Sequence, residues 1–170
     1  TSVAASSRRN CCRGCGYRWM SFWPTPEPSG YNRPMNDDLQ TTIHHILTAY
    51  HTFAVVGFSD RDRRKAAFYA PAYLKGHGYT VIPVNPRLET GLNRPAYPAL
   101  ADVPGPFDVA LIYAASERVG PFVDQAIAAG AKAVWLPIGV VDEAAAERAR
   151  AAGLLVVMDR CPMVEHKHMA

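Results

Sequence analysis

From residue 36 onward the chain switches repeatedly between two hydrophobic periods. Leu39, Ile43, Ile46, Leu47 and Tyr50 recur at helical spacing, with Asn36 or Asp37 as cap and Asp37 and Asp38 favourable in the first turn. An apolar run over 52–56 reads as a buried strand, and a helical stretch over 66–75 closes at Gly76-His77-Gly78. A second strand, 79–84, is stopped by Asn85-Pro86. Residues 87–105 then form a long connection rich in proline, broken by a short helix near 99–103. A third strand over 107–113 leads to a helix from Ser116 or Glu117 to 129, with Ser116 as candidate N-cap. A fourth strand, 133–136, halts at Pro137-Ile138-Gly139. Asp142 caps a helix through 151, and a fifth strand covers 154–158. Strands alternating with helices predict an α/β fold: a doubly wound, mainly parallel five-stranded sheet in three α/β/α layers.

In such a sheet, ligands bind at the carboxyl ends of the strands. The first strand runs into Gly57-Phe58-Ser59, which opens a strand–turn–helix unit. A turn of this kind presents backbone N–H groups and a helix N-terminus to an anion, so a phosphate binds there without a catalytic side chain. The run Arg61, Arg63, Arg64, Lys65 opens the following helix and offers cations to the same ligand, or else a solvated entrance offset by Asp60 and Asp62. The other strand ends supply Asn85-Pro86-Arg87, Tyr113-Ala114 and Ile138-Gly139. A dinucleotide-binding turn wants three spaced glycines and an acid at the end of the second strand. Here only Gly57 is present, and Asn85-Pro86-Arg87 stands where the acid belongs. An amide and a guanidinium accept a phosphorylated ribose that a carboxylate would repel. The reading is a phosphate-rich nucleotide-type ligand rather than NAD.

Charge sharpens this picture at one end of the chain. Of a net +3 over 170 residues, the segment 1–34 carries +4, from five arginines and one glutamate, which leaves the remainder at −1. A nearly neutral body does not suggest nucleic acid as a partner. No apolar run approaches the roughly 20 residues of a membrane span. Residues 1–34, rich in Ser, Arg and Pro without a helical or strand period, read as a disordered leader or as sequence upstream of a start at Met35. A transit peptide, or zinc at Cys11, Cys12 and Cys15, are the alternatives there. Three clustered cysteines and a distant Cys161 do not form a secreted disulfide framework, which suggests a reducing, cytoplasmic setting.

Four stretches, in order, carry a resemblance: Val55-Val56-Gly57-Phe58-Ser59-Asp60; Gly78 through Pro86; Ala131-Lys132-Ala133-Val134-Trp135-Leu136; and Val156-Val157-Met158-Asp159-Arg160-Cys161. Together they resemble the small stand-alone CoA-binding-domain proteins, Rossmann-like folds similar to the CoA-binding half of the succinyl-CoA synthetase alpha subunit. The resemblance spans about residues 37–168. It implies coenzyme A, or an acyl-CoA, across the strand ends, with Gly57, Phe58 and Ser59 beside its phosphates. Arg64 matches the family's basic residue after that turn, and Asn85 and Pro86 match its second-strand motif. Arg87 suits the 3′-phosphate. Three positions depart from the pattern: Tyr113-Ala114-Ala115 replaces Phe-Arg-Arg, Ala66 replaces a serine, and Pro137 replaces a glutamine.

Chemistry is less evident. Cys161, beside Arg160 and followed by Glu165, His166 and His168, suits a nucleophilic or metal constellation; the competing reading is a buried cysteine before a polar tail. His44, His45 and His51 have no ligand partner at suitable spacing and read as solvated or core-edge side chains. The expectation is a non-catalytic or regulatory CoA-binding module. The alternative is an enzyme: an NAD(P)-linked oxidoreductase, or a CoA ligase or transferase component acting with a partner chain.

Overall fold

The computed structural model describes residues 35–169. The expectations for 1–34, including the cysteine cluster, lie outside them, and the cap expected at Asn36 or Asp37 rests on side chains that are likewise outside the description. Among the described residues no helix is long and apolar enough to cross a membrane.

The elements run α1 (Met35–Ala49), β1 (Thr52–Val56), α2 (Ala66–Gly76), β2 (Thr80–Val84), a two-residue hairpin β3 (Thr90–Gly91) and β4 (Arg94–Pro95), a 3-10 turn (Leu100–Asp102), β5 (Val109–Ile112), α3 (Ser116–Ala128), β6 (Ala133–Trp135), α4 (Glu143–Ala151), β7 (Leu155–Val157) and α5 (Pro162–Met169). Five strands form one parallel sheet in the order β2-β1-β5-β6-β7. The order reverses between β1 and β5, which is the switch point where doubly wound sheets bind ligands.

Strand alternation assigns each residue to one of two cores. Phe53, Val55, Val109, Leu111 and Trp135 face one side, where Ile43, Ile46 and Leu47 of α1 and Leu74 of α2 cover them. Ala54, Val56, Ala110, Ile112 and Val134 face the other, under Val119, Val123 and Ala126 of α3 and Ala145 and Ala149 of α4. The small residues on α4 let it approach the sheet closely. Each large side chain fully buried this way contributes roughly 1.5–3 kcal/mol. Two of the polar tips that accompany the aromatics are satisfied by main chain: the Trp135 indole N–H donates to the Arg160 carbonyl at 2.8 Å, and the Tyr79 hydroxyl donates to the Leu47 carbonyl at 2.7 Å.

Three local features differ from the sequence-based expectations: the connection after β2, Ser116 and the polar tail. The connection after β2 is not an open loop. It holds a hairpin whose central residues Leu92 and Asn93 both have positive φ, 50° and 58°, as a two-residue mirror-type turn demands. Lys75 clamps this turn by donating to the Leu92 carbonyl. Pro83 sits in the edge strand β2 because its backbone faces outward, where its carbonyl accepts from Tyr97 N–H at 3.0 Å and no ladder bond is lost. Ser116 does not cap α3; Ala115 precedes the helix without a side-chain cap. The Ser116 hydroxyl instead accepts from Val141 N–H at 3.1 Å, which ties α3 to the loop after β6. Finally, the polar tail is helical: α5 packs on α2 and α1. Asp142 caps α4 as expected, accepting from Ala145 N–H at 3.0 Å.

Candidate functional site

The site begins with a close approach. β1 and β5 run side by side, and Tyr113 N–H donates to the Val56 carbonyl at 2.9 Å. Gly57 follows with φ +76°, and a Cβ there would lie 2.3 Å from the Tyr113 carbonyl oxygen. Only glycine fits, on both counts. Its N–H donates to the Val84 carbonyl at 2.9 Å, so this single residue draws the ends of β1, β2 and β5 together.

Asn85 locks the second strand end onto that turn. Its side-chain amide donates to the Phe58 carbonyl at 2.7 Å, and its side-chain oxygen accepts from Arg87 N–H at 2.9 Å. The Asn85 side chain therefore shapes the crevice rather than presenting both of its polar ends to a ligand. Phe58 is fully buried beneath the turn, against Phe68 and Gly91. It lines neither of the cavities described below.

Two cavities open at the carboxyl ends of the strands. The first, about 300 Å³, lies over β1, β2 and β5, between Gly57, Asn85, Pro86 and Pro98 on one side and Phe122 and Gln125 of α3 on the other. The second, about 270 Å³, lies over β5 and β6, between Ala66 and Tyr69 of α2, Ile138 after β6, and Cys161. Tyr113, Ala114 and Arg118 line both. No carboxylate lines either one. α2 and α3 both begin here, so first-turn amides without intrahelical partners face the same region. A larger cavity of about 420 Å³ lies near α1, α4 and β7, but Asp38 and Glu143 line it, and its Arg150 is held 3.6 Å from Glu143. Its charges suit an anion less well.

Of the residues singled out from sequence, Gly57, Asn85, Pro86, Tyr113 and Ala114 line the first cavity, and Ile138 lines the second. Ser59, Arg63, Arg64, Lys65, Arg87 and Gly139 line neither. Arg64 projects into solvent with its side chain 93% exposed, 3.3 Å from Asp62. Arg63 lies over the Phe68 ring, 5.5 Å from its centroid. Gly139 N–H donates to the Asp159 carboxylate at 2.8 Å.

Arg118 went unnoticed in the sequence. It stands in the first turn of α3, at the junction of the two cavities, and makes no ion pair with a described residue. A cation near a helix N-terminus opposes the helix dipole, so Arg118 does not stabilise α3 through that dipole. The signal was faint: an arginine one turn beyond the position where the related proteins carry theirs.

Tyr113 sits in the wall between the cavities. Its hydroxyl is buried and, among the described residues, is the one buried side-chain polar atom without a hydrogen-bond partner. Burial pushes its ionisation far up, and the neighbouring Cys161 and Tyr69 add to that, so the phenol stays protonated. Cys161 is itself buried. The residues around Cys161 diverge rather than gather: Glu165 turns to Arg160 at 3.7 Å, while His166 meets the Tyr73 hydroxyl at 3.1 Å. Among the described residues no group of three His, Cys, Asp or Glu side chains is placed to hold a metal.

The fold is thus that of a doubly wound α/β protein whose crevice lies at the β1/β5 reversal. Residues 51–167 match the CoA binding domain family, and the chain belongs to that family. It is 31% identical over 132 residues to the uncharacterized protein YneT of Bacillus subtilis, covering 78% of this chain and 97% of that one. Among solved structures it is similar to a hypothetical protein from Pyrococcus horikoshii, at 36% identity and a TM-score of 0.72, covering 82% of this chain and 97% of the other. It is also similar to Prb, a protein redesigned for binding, at 38% identity and a TM-score of 0.73, covering 76% and 91%.

Proposed function

We propose that this chain binds coenzyme A or an acyl-CoA along the carboxyl ends of β1, β2, β5 and β6, as a regulatory module without a reaction of its own. One observation carries the reading: two adjoining cavities, free of carboxylates, share an arginine that no described residue pairs. An elongated anionic ligand has room for its nucleotide end in the first cavity and its thiol end in the second. Arg118 at the junction, with the first-turn amides of α2 and α3, suits phosphates in between. Gly57, Asn85 and Pro86 would hold the turn against which the ligand lies. Ala114 and Ala115 leave the backbone at the start of α3 open to close approach. Arg118 would stand in for the arginines that related proteins carry at those two positions.

Arg63, Arg64, Lys65 and Arg87 follow the ends of β1 and β2 without lining this crevice. They fit a role in drawing an anion in from solution more than in gripping it. Ser59 and Gly139 belong to the turns that frame the entrance. Membership of the CoA binding domain family supports the ligand class. The dispersal of Glu165 and His166 away from Cys161 supports a binding role over a nucleophilic one.

The test is calorimetric titration of the full chain with CoA, acetyl-CoA, NAD, NADP and ATP. CoA or acetyl-CoA is expected to bind and to raise the melting temperature by mass action. Binding of NAD or NADP alone would replace this reading with that of an oxidoreductase.

A further inference from the structure

Three side chains of α3 share one face of the helix, at the spacing i, i+4 and i+7: Arg118, Phe122 and Gln125. All three line the first cavity, whose opposite wall is formed by Pro86, Pro98 and Ala99. Arg118 stands where the two cavities meet. Gln125 lies two turns further along the helix, about 10 Å on at 1.5 Å per residue. The first cavity is therefore cationic at the end it shares and carries an amide at the other, with the half-buried Phe122 between them.

Four polar side chains line this cavity: Asn85, Tyr113, Arg118 and Gln125. The Asn85 amide is spent on the Phe58 carbonyl and the Arg87 N–H. The Tyr113 hydroxyl is sealed off from solvent. The Gln125 amide is different on both counts. It makes no hydrogen bond to a described residue, and it belongs to a side chain that is only half-buried and has no sealed, unpaired atom. An open amide offers a donor and an acceptor side by side. Adenine presents the matching pair along one edge, its amino group donating and a ring nitrogen accepting, and glutamine reads that edge with two hydrogen bonds. The rest of the ring is flat and largely apolar, which suits a slot between prolines and a phenyl ring.

Resting on the CoA reading above, we propose that the first cavity takes the adenine of the ligand, and that Gln125 is the residue that determines specificity for the base, its amide pairing with the adenine amino group and the adjacent ring nitrogen. Phe122 and the facing prolines cover the ring. The phosphates fall at the Arg118 end, because a ribose separates them from the base. The pantetheine arm then runs on into the second cavity, so the assignment sets the direction in which the ligand lies along the strand ends. No bond is made or broken. Cations and main-chain amides alone would hold any phosphate-rich ligand of similar length; a base that cannot answer the Gln125 amide leaves it unpaired against the ligand, which is the source of discrimination.

The test compares CoA with etheno-CoA, whose extra ring blocks the adenine amino group and leaves the phosphates and the thiol unchanged. Both are titrated by calorimetry into the full chain and into Gln125→Leu. The unaltered protein is expected to bind CoA about tenfold more tightly than etheno-CoA, the size of one lost hydrogen bond. In Gln125→Leu the affinity for CoA should fall about tenfold, and the ratio of the two affinities should drop close to one. Without ligand the variant should melt with the parent, because the amide has no partner in the protein to lose. Equal binding of the two ligands by the parent, an unchanged CoA affinity in Gln125→Leu, a preference that survives the substitution, or a marked fall in melting temperature would each overturn the base reading and leave CoA binding standing. Absence of CoA binding by the unaltered protein would overturn the two readings together.

Discussion

The two ends of the sheet are built on opposite principles. At the amino end, Asp108 closes every gap. Its carboxylate accepts from His51 N–H at 3.2 Å, from Thr52 N–H at 3.1 Å and from Lys132 Nζ at 2.7 Å. Its carbonyl accepts from the N–H groups of Lys132 and Ala133 at 2.8 and 3.0 Å. One residue thus stitches β1, β5 and β6, with its own carboxylate, carbonyl and N–H all partnered. At the carboxyl end, Arg118 has no described ion-pair partner, the Tyr113 hydroxyl is unpaired, and two alanines leave main chain uncovered. Saturated polar groups mark the end that holds the fold together, and unsaturated ones mark the end that can still bind something.

The carboxyl end itself divides in two. Around Gly57 and Asn85 the polar groups are spent on geometry; around Tyr113 and Arg118 they are free. That division is sharpest to test at Gly57. Gly57→Ala would force a positive φ on a Cβ that also meets the Tyr113 carbonyl, and should lower stability by about 2–5 kcal/mol in urea unfolding. A loss under 1 kcal/mol would mean that the strand ends are not held as described.

Asn85→Ala removes both hydrogen bonds that fix the second strand end and leaves the buried Phe58 carbonyl unmet. It should cost about 1–3 kcal/mol of stability and weaken CoA binding through the distorted turn. An affinity change without a stability change would make Asn85 a direct contact instead. Arg118→Ala should show the reverse: affinity for CoA lower by about tenfold, with stability within about 0.5 kcal/mol of the parent. Its effect should shrink as salt is raised.

Asp108 probes the saturated end. Burial alone would raise its pKa, but hydrogen bonds from Lys132 and from the N–H groups of Thr52 and His51 hold it below the usual carboxylate range. Because the folded value is depressed, its contribution is present above the unfolded carboxylate pKa of about 4 and is lost as pH falls through the folded value. Asp108→Asn should lower stability at neutral pH by about 1 kcal/mol and flatten that part of the acid unfolding curve. Parent and variant with the same acid dependence would contradict this. The smallest effect is expected at Arg64. Exposed and, among the described residues, paired only with Asp62, it should change CoA affinity by less than about 0.5 kcal/mol when replaced by alanine. A tenfold loss would move the phosphate site out to the loop before α2.

Which parts were visible in the sequence follows from the same division. Continuous apolar runs and glycine or proline stops locate each of the five main strands to within one or two residues, because burial on both faces demands such stretches. Gly57 and Asn85 stood out because a tight turn and a side-chain latch require particular residue types. The hairpin of β3 and β4 was hidden: Leu92 in a left-handed conformation has no propensity signal, and Lys75 holds it from a distance. Ser116 looked like a cap because caps and tertiary hydrogen bonds use the same hydroxyl. α5 was missed because its eight residues show little amphipathic pattern and depend on packing against α2. Arg118 and the Tyr113 hydroxyl were invisible for a deeper reason: they stand out because they lack partners, and only the fold reveals which groups those are.

A crystal structure of the full chain grown with CoA tests the central claim most directly. The account predicts the ligand along the β1/β5 reversal, spanning both cavities, with phosphate oxygens within hydrogen-bond distance of Arg118. CoA bound elsewhere, or lying in the crevice with Arg118 still turned to solvent, would contradict it.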